Sequence, residues 1–93
     1  MPQFVIERDI PNAGAMTADQ LREASLGALA ALRDLGPEIR WVRSFVTDHK
    51  VYCIYFAPDS AAIVEHGRRA GMPVDRVAAV RRIIDPVNYE DEE

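Results

Sequence analysis

The chain has 93 residues, 48% hydrophobic and 28% charged, the balance of a folded globular protein with room for one thin core rather than two. Its net charge of -4 gives no field for collecting phosphates, so nucleic acid is not expected as a partner, although Arg68, Arg69, Arg76, Arg81 and Arg82 cluster locally. No apolar run is long enough to span a bilayer, the start Met1-Pro2-Gln3-Phe4 lacks the basic-then-apolar order of a secretory signal, and the single cysteine, Cys53, fits a reducing cytoplasm.

Phe4 to Ile10 alternates apolar and charged side chains as a strand does, and Pro11-Asn12-Ala13-Gly14 breaks it. Thr17 with Gln20 forms a capping box, and Met16 can staple against Leu21. The helix that follows carries its apolar stripe on Leu21, Ala24, Ala28, Leu29, Leu32 and Leu35 and ends at Gly36-Pro37. Two strands come next, Ile39 to Thr47 and Lys50 to Ala57, joined by the turn pair Asp48-His49. Asp59 or Ser60 caps a second helix running to about Ala70, and a last strand is expected from Val77 to Ile84, ahead of Asp85-Pro86 and a solvated acidic tail ending in Glu90 to Glu93. Strand, helix, strand, strand, helix, strand is the ferredoxin-like βαββαβ order: an α+β domain with a four-stranded antiparallel sheet and two helices on one face.

With Asp48 and His49 in the turn, Thr47 pairs with Lys50, and Ser44, Val42 and Val46 face Cys53, Tyr55 and Val51 on one side of the hairpin. The other side carries Trp41, Phe45, Tyr52, Ile54 and Phe56, interrupted by Arg43. An antiparallel sheet with one wet face should alternate apolar with polar; here both faces are apolar. Two helices cover one face, and a second copy of the chain covers the other most simply, so a homodimer packed sheet against sheet, of the dimeric α+β barrel type, is expected.

The second helix holds the least expected side chain. If it packs through Ile63 and Ala70, His66 and Gly67 lie on the same buried stripe. Glu7 and Asp9 share one face of the first strand, and since the first and third strands of this fold are neighbours, Glu7 is expected beside Cys53 or Tyr55. Imidazole, carboxylate and thiolate together suit nickel, copper, cobalt or zinc rather than magnesium or calcium. No C-x-x-C pair or His-x-x-x-His fixes two ligands locally. A backbone oxygen or carboxylate would satisfy an inward histidine equally well, and a buried free cysteine is commonly packing.

The stretches FVIERDIP, GPEIRWVRSFVTDHKVYCIYFAPD, EHGRRAGMP and VRRIIDP, spread over residues 3 to 86, resemble the small actinobacterial nickel-binding proteins. That resemblance implies a dimeric ferredoxin-like fold binding nickel, with Glu7, Cys53 and His66 as the first metal-site residues and Asp9, Tyr55 and His49 behind them. Gly67 departs from the family's alanine after the histidine, which loosens the helix by about 1 kcal/mol. Two other functions compete with nickel sequestration or delivery in the cytoplasm. One is a small enzyme in which Glu7 orients His66 as general acid or base while Tyr55 or Ser44 binds a substrate oxygen. The other is an interaction module without chemistry of its own.

Overall fold

A computed structural model describes residues 1–87 of the chain; the acidic tail expected at Glu90 to Glu93 lies outside the described residues. Its elements are β1 (Gln3–Asp9), a short 3₁₀ turn (Ala13–Ala15), α1 (Ala18–Leu35), β2 (Arg40–Val46), β3 (Lys50–Phe56), α2 (Ser60–Ala70) and β4 (Arg76–Ala79). The four strands form one antiparallel sheet in the order β2-β3-β1-β4, the ferredoxin-like arrangement. No helix among the described residues is long and apolar enough to cross a membrane.

Local chemistry sets the helix ends. The Thr17 hydroxyl accepts the Gln20 backbone N–H at 3.1 Å, and the Gln20 side chain accepts the Thr17 N–H at 2.9 Å, so two otherwise orphaned donors are satisfied. Asp59 caps α2 by accepting the Ala62 N–H at 2.9 Å. At its other end α2 turns through Gly71, whose φ of 69° belongs to the left-handed region that favours glycine, and the Met72 N–H reaches back to the Gly67 carbonyl at 2.9 Å. Pro73 follows and cannot continue the helix. The arginine cluster is partly neutralised within α2 itself: Arg68 makes a two-pronged contact with Glu65 at 2.7 and 2.8 Å, Arg69 adds a third bond at 2.8 Å, and the Glu65 carboxyl is pulled down to about 2.

Both helices lie on one face of the sheet, and the core between them is built from Phe4, Ile6, Ile39, Cys53, Tyr55, Ala57 and Ile63. Gly67 belongs to this packing. A methyl group there would collide with a methyl of Val74, and it would stand 3.2 Å from the Met72 carbonyl oxygen and 3.4 Å from Nη1 of Arg8. The glycine read from sequence as a loosening of the helix is therefore what lets α2 approach the 72–74 segment. Gly67→Ala is expected to lower the unfolding free energy by about 1 kcal/mol in a urea titration, overpacking outweighing the gain in helix propensity.

Two sequence expectations need correction. β4 stops at Ala79 rather than continuing to Ile84. Phe4 pairs with Ala79 and the Val80 N–H still reaches the Gln3 carbonyl, but β1 begins at Gln3, so its ladder with β4 ends there; Ile83 and Ile84 are exposed. The hairpin register holds at its tip, with Ser44 opposite Cys53 and Val46 opposite Val51, but slips between Trp41 and Arg43. The residue opposite Tyr55 is Trp41, not Val42. This bulge turns the Trp41 indole to the helix side, where it stacks on Tyr55 at a centroid distance of 6.3 Å and 10° between planes.

The second face is open. Phe45, Tyr52, Ile54, Phe56 and Val5 share it with Glu7, Asp9 and Lys50, as the pairing register requires, and Phe45 is 54% exposed.

Candidate functional site

Alternation along β1 decides which side chains meet. Phe4, Ile6 and Arg8 point to the helices and are buried, while Glu7 and Asp9 point to the open face. Across the ladder Ile6 pairs with Cys53 and Phe4 with Tyr55, whereas Glu7 pairs with Tyr52. The expected meeting of Glu7 with Cys53 and His66 therefore does not occur, nor does the Glu7–His66 pair of an acid–base centre. The six candidate residues divide into an inner group, Cys53, Tyr55 and His66, and an outer one, Glu7, Asp9 and His49.

In the inner group His66 is fully buried on α2, and its Nε2 lies 3.0 Å from the Ala28 carbonyl oxygen of α1. A carbonyl can only accept, so Nε2 carries the proton and Nδ1 is left a buried lone pair with no partner. Burial holds the ring below its ordinary 6.5; the Ala28 bond opposes that, and the Arg8 charge adds to it. His66 is thus a neutral ring tying the two helices together, 5.4 Å from the Tyr55 ring. Cys53 is buried on β3; its sulfur accepts the Ser44 hydroxyl at 3.0 Å, and Ser44 in turn accepts the Trp41 indole N–H at 2.9 Å. The Tyr55 hydroxyl is buried beside Arg8 without a well-formed hydrogen bond, and its pKa is pushed up to about 12, chiefly by burial, with Cys53 adding and the Arg8 charge and contact opposing.

Arg8 is the member that a sequence reading focused on acids, thiol and imidazole passes over. It is fully buried, donates from Nη1 to the Pro73 carbonyl at 2.8 Å, and leaves Nε and Nη2 with no partner. The signal for it was present in Phe4 and Ile6, which share its face by the period of two. A permanent positive charge beside Tyr55 and His66 makes the inner group a poor place for a divalent cation. Between the first turns of α1 and the β2–β3 hairpin lies a cavity of about 90 Å³, open on one side and lined by Arg8, Ser44, Cys53, Tyr55 and Trp41 together with apolar side chains.

The outer group has opposite polarity. The Lys50 ammonium sits 2.8 Å from Glu7 and 3.4 Å from Asp9, and the Glu7 contact is the main reason Lys50 holds its proton more firmly than usual. The Asp9 backbone N–H donates to Asp75 at 2.6 Å. His49, at the exposed turn, accepts the Asn12 backbone N–H on Nδ1 at 3.1 Å. Among the described residues no group of three or more His, Cys, Asp or Glu side chains is arranged to hold a metal ion.

Residues 4–80 match the family described as nickel responsive protein SCO4226-like. The chain also resembles the crystal structure of SCO4226 from Streptomyces coelicolor A3(2), with a TM-score of 0.75 and 21% identity over 88% of this chain and 99% of that one. No curated protein matches the sequence.

Proposed function

The chain belongs to the nickel responsive SCO4226-like family, and from that premise we propose that it binds nickel or a similar first-row divalent ion, as cargo to be sequestered or delivered in the cytoplasm. The observation that carries this reading is the Glu7–Lys50–Asp9 cluster, in which two carboxylates already hold a positive charge on the open face of the sheet. Lys50 is 41% exposed, so its flexible stem can withdraw and yield the carboxylates to an incoming ion. His49, at the neighbouring turn, is the imidazole best placed by chain position to add the nitrogen donor that nickel favours.

One chain supplies too few donors for a closed site. The acid pair lies on the uncovered apolar face, so a second copy packed sheet against sheet brings its own Glu7 and Asp9 to the same layer and covers Phe45. The proposed unit is therefore a homodimer with the ion between or beside the two sheets, and Cys53, Tyr55 and His66 take no part in it.

Calorimetric titration of the tag-free protein with nickel tests this reading, alongside sedimentation for the dimer. The double variant Glu7→Gln/Asp9→Asn is expected to lose at least about tenfold in nickel affinity while unfolding at nearly the wild-type denaturant concentration, because exposed ion pairs add little to stability. Absence of heat with nickel, cobalt and zinc, or undiminished heat in the double variant, would refute it.

A further inference from the structure

We propose that the cavity under α1 is a binding site for a small carboxylate with an apolar body, held by the free edge of the Arg8 guanidinium. This goes beyond metal binding and concerns the opposite face of the sheet. Arg8 is fully exposed to the consequences of burial: none of its surface reaches solvent, and the ion pairs of the described residues involve Lys50, Arg68 and Arg69 but not Arg8. A guanidinium cannot shed its proton to escape the cost of a buried, unpaired charge. Its one bond goes to a neutral acceptor, the Pro73 carbonyl, at 2.8 Å.

The atoms left over have a particular shape. Nε and Nη2, both without a partner, form one edge of the planar group, with two parallel N–H bonds spaced to meet the two oxygens of a carboxylate. Arg8 and Tyr55 both stand in the wall of the cavity of about 90 Å³, side by side and with no surface open to it, so a small turn of the guanidinium brings its edge to a bound carboxylate. A carboxylate at the Arg8 edge would give the Tyr55 hydroxyl an acceptor. Most of the remaining wall is apolar, Leu21, Ala24, Ala28, Val46 and Val51 among it, which suits a hydrocarbon chain or ring, and the lining offers no second cation for a dianion. No aspartate or glutamate lines the space, so nothing in the wall already neutralises the charge. One cation and three hydroxyl residues, Tyr55, Ser25 and Ser44, the serines already engaged by their own bonds, are the few polar groups in an otherwise greasy pocket that mark a small-molecule site.

The test is a titration of ¹⁵N-labelled protein with hexanoate and with benzoate, followed at the Trp41 indole N–H, whose ring lines the cavity; hexan-1-ol, benzyl alcohol and inorganic phosphate serve as comparisons. Either carboxylate is expected to shift that signal saturably at millimolar concentration or below. The alcohols should bind at least about tenfold more weakly, phosphate should leave the signal in place, and Arg8→Lys, which keeps the charge but loses the fork, should weaken carboxylate binding about tenfold. Ala24→Leu, at an exposed position on the cavity wall, should abolish the shift in a protein whose spectrum stays dispersed, so the question remains answerable if Arg8 variants do not fold. No shift with either carboxylate, equal shifts with the alcohols, phosphate binding at the same signal, or unaltered binding in Ala24→Leu would each overturn the proposal.

Discussion

His66→Ala is expected to unfold about 3 kcal/mol more easily than wild type and to keep the full heat of nickel binding. The first half follows from position: the ring has no exposed surface, packs against Tyr55 and bonds α2 to the Ala28 carbonyl of α1, so truncation leaves a cavity where two helices meet. The second half follows from its engaged Nε2, its neutral buried state and the cation beside it. An inner metal site built on this imidazole predicts the reverse, lost heat with the variant. The same residue sets a pH dependence. A base whose folded pKa lies below its unfolded value of about 6.5 binds more protons unfolded than folded, so stability is fully present above about 6.5 and is lost on acidification toward the lowered folded value, at up to about 1.4 kcal/mol per pH unit. Urea midpoints between pH 8 and 5 should fall in wild type, and this contribution should be missing in His66→Ala. Equal slopes in the two proteins would remove His66 as its source.

Ile6→Ala is expected to cost about 3 to 4 kcal/mol in the same measurement. Ile6 is fully buried on β1, paired with Cys53 on one side and Val77 on the other, and it packs in the core shared with Tyr55 and Ile63. A domain this small has a total stability of about 5 to 15 kcal/mol, so the loss would take much of it. A loss under about 1 kcal/mol would mean that the helices do not close over β1 as described.

What the sequence conveyed depended on how local the physics was. The capping box of Thr17 and Gln20, the Asp59 cap and the Gly71-Met72-Pro73 stop are each complete within a few residues, and all were legible. The tip of the hairpin was legible too, because Thr47 and Lys50 bracket a two-residue turn. The register then failed at Trp41, where the bulge inserts one residue and reverses the alternation for everything beyond it; nothing in Trp41-Val42-Arg43 marks that event by composition. The end of β4 was not legible because it is set by where β1 begins, at Gln3, near the other end of the chain. The buried His66 was legible from its spacing to Ile63 and Ala70, but its partner was not: Ala28 lies on another helix and contributes a carbonyl, which every residue possesses. Glu7 was placed on the wrong face because the eye follows the acids through Glu7 and Asp9, whereas the apolar phase of Phe4 and Ile6 makes Arg8 the inward residue.

The run Glu7-Arg8-Asp9 sends side chains of opposite sign to the two faces of β1. A slip of β1 by a single position would exchange them, driving two carboxylates against the core and the guanidinium into water. Electrostatics thereby polices the alignment of the central strand as strictly as hydrophobic pattern does. Deleting one residue from the Phe4–Ile6 segment should for that reason harm the protein more than any single replacement within it.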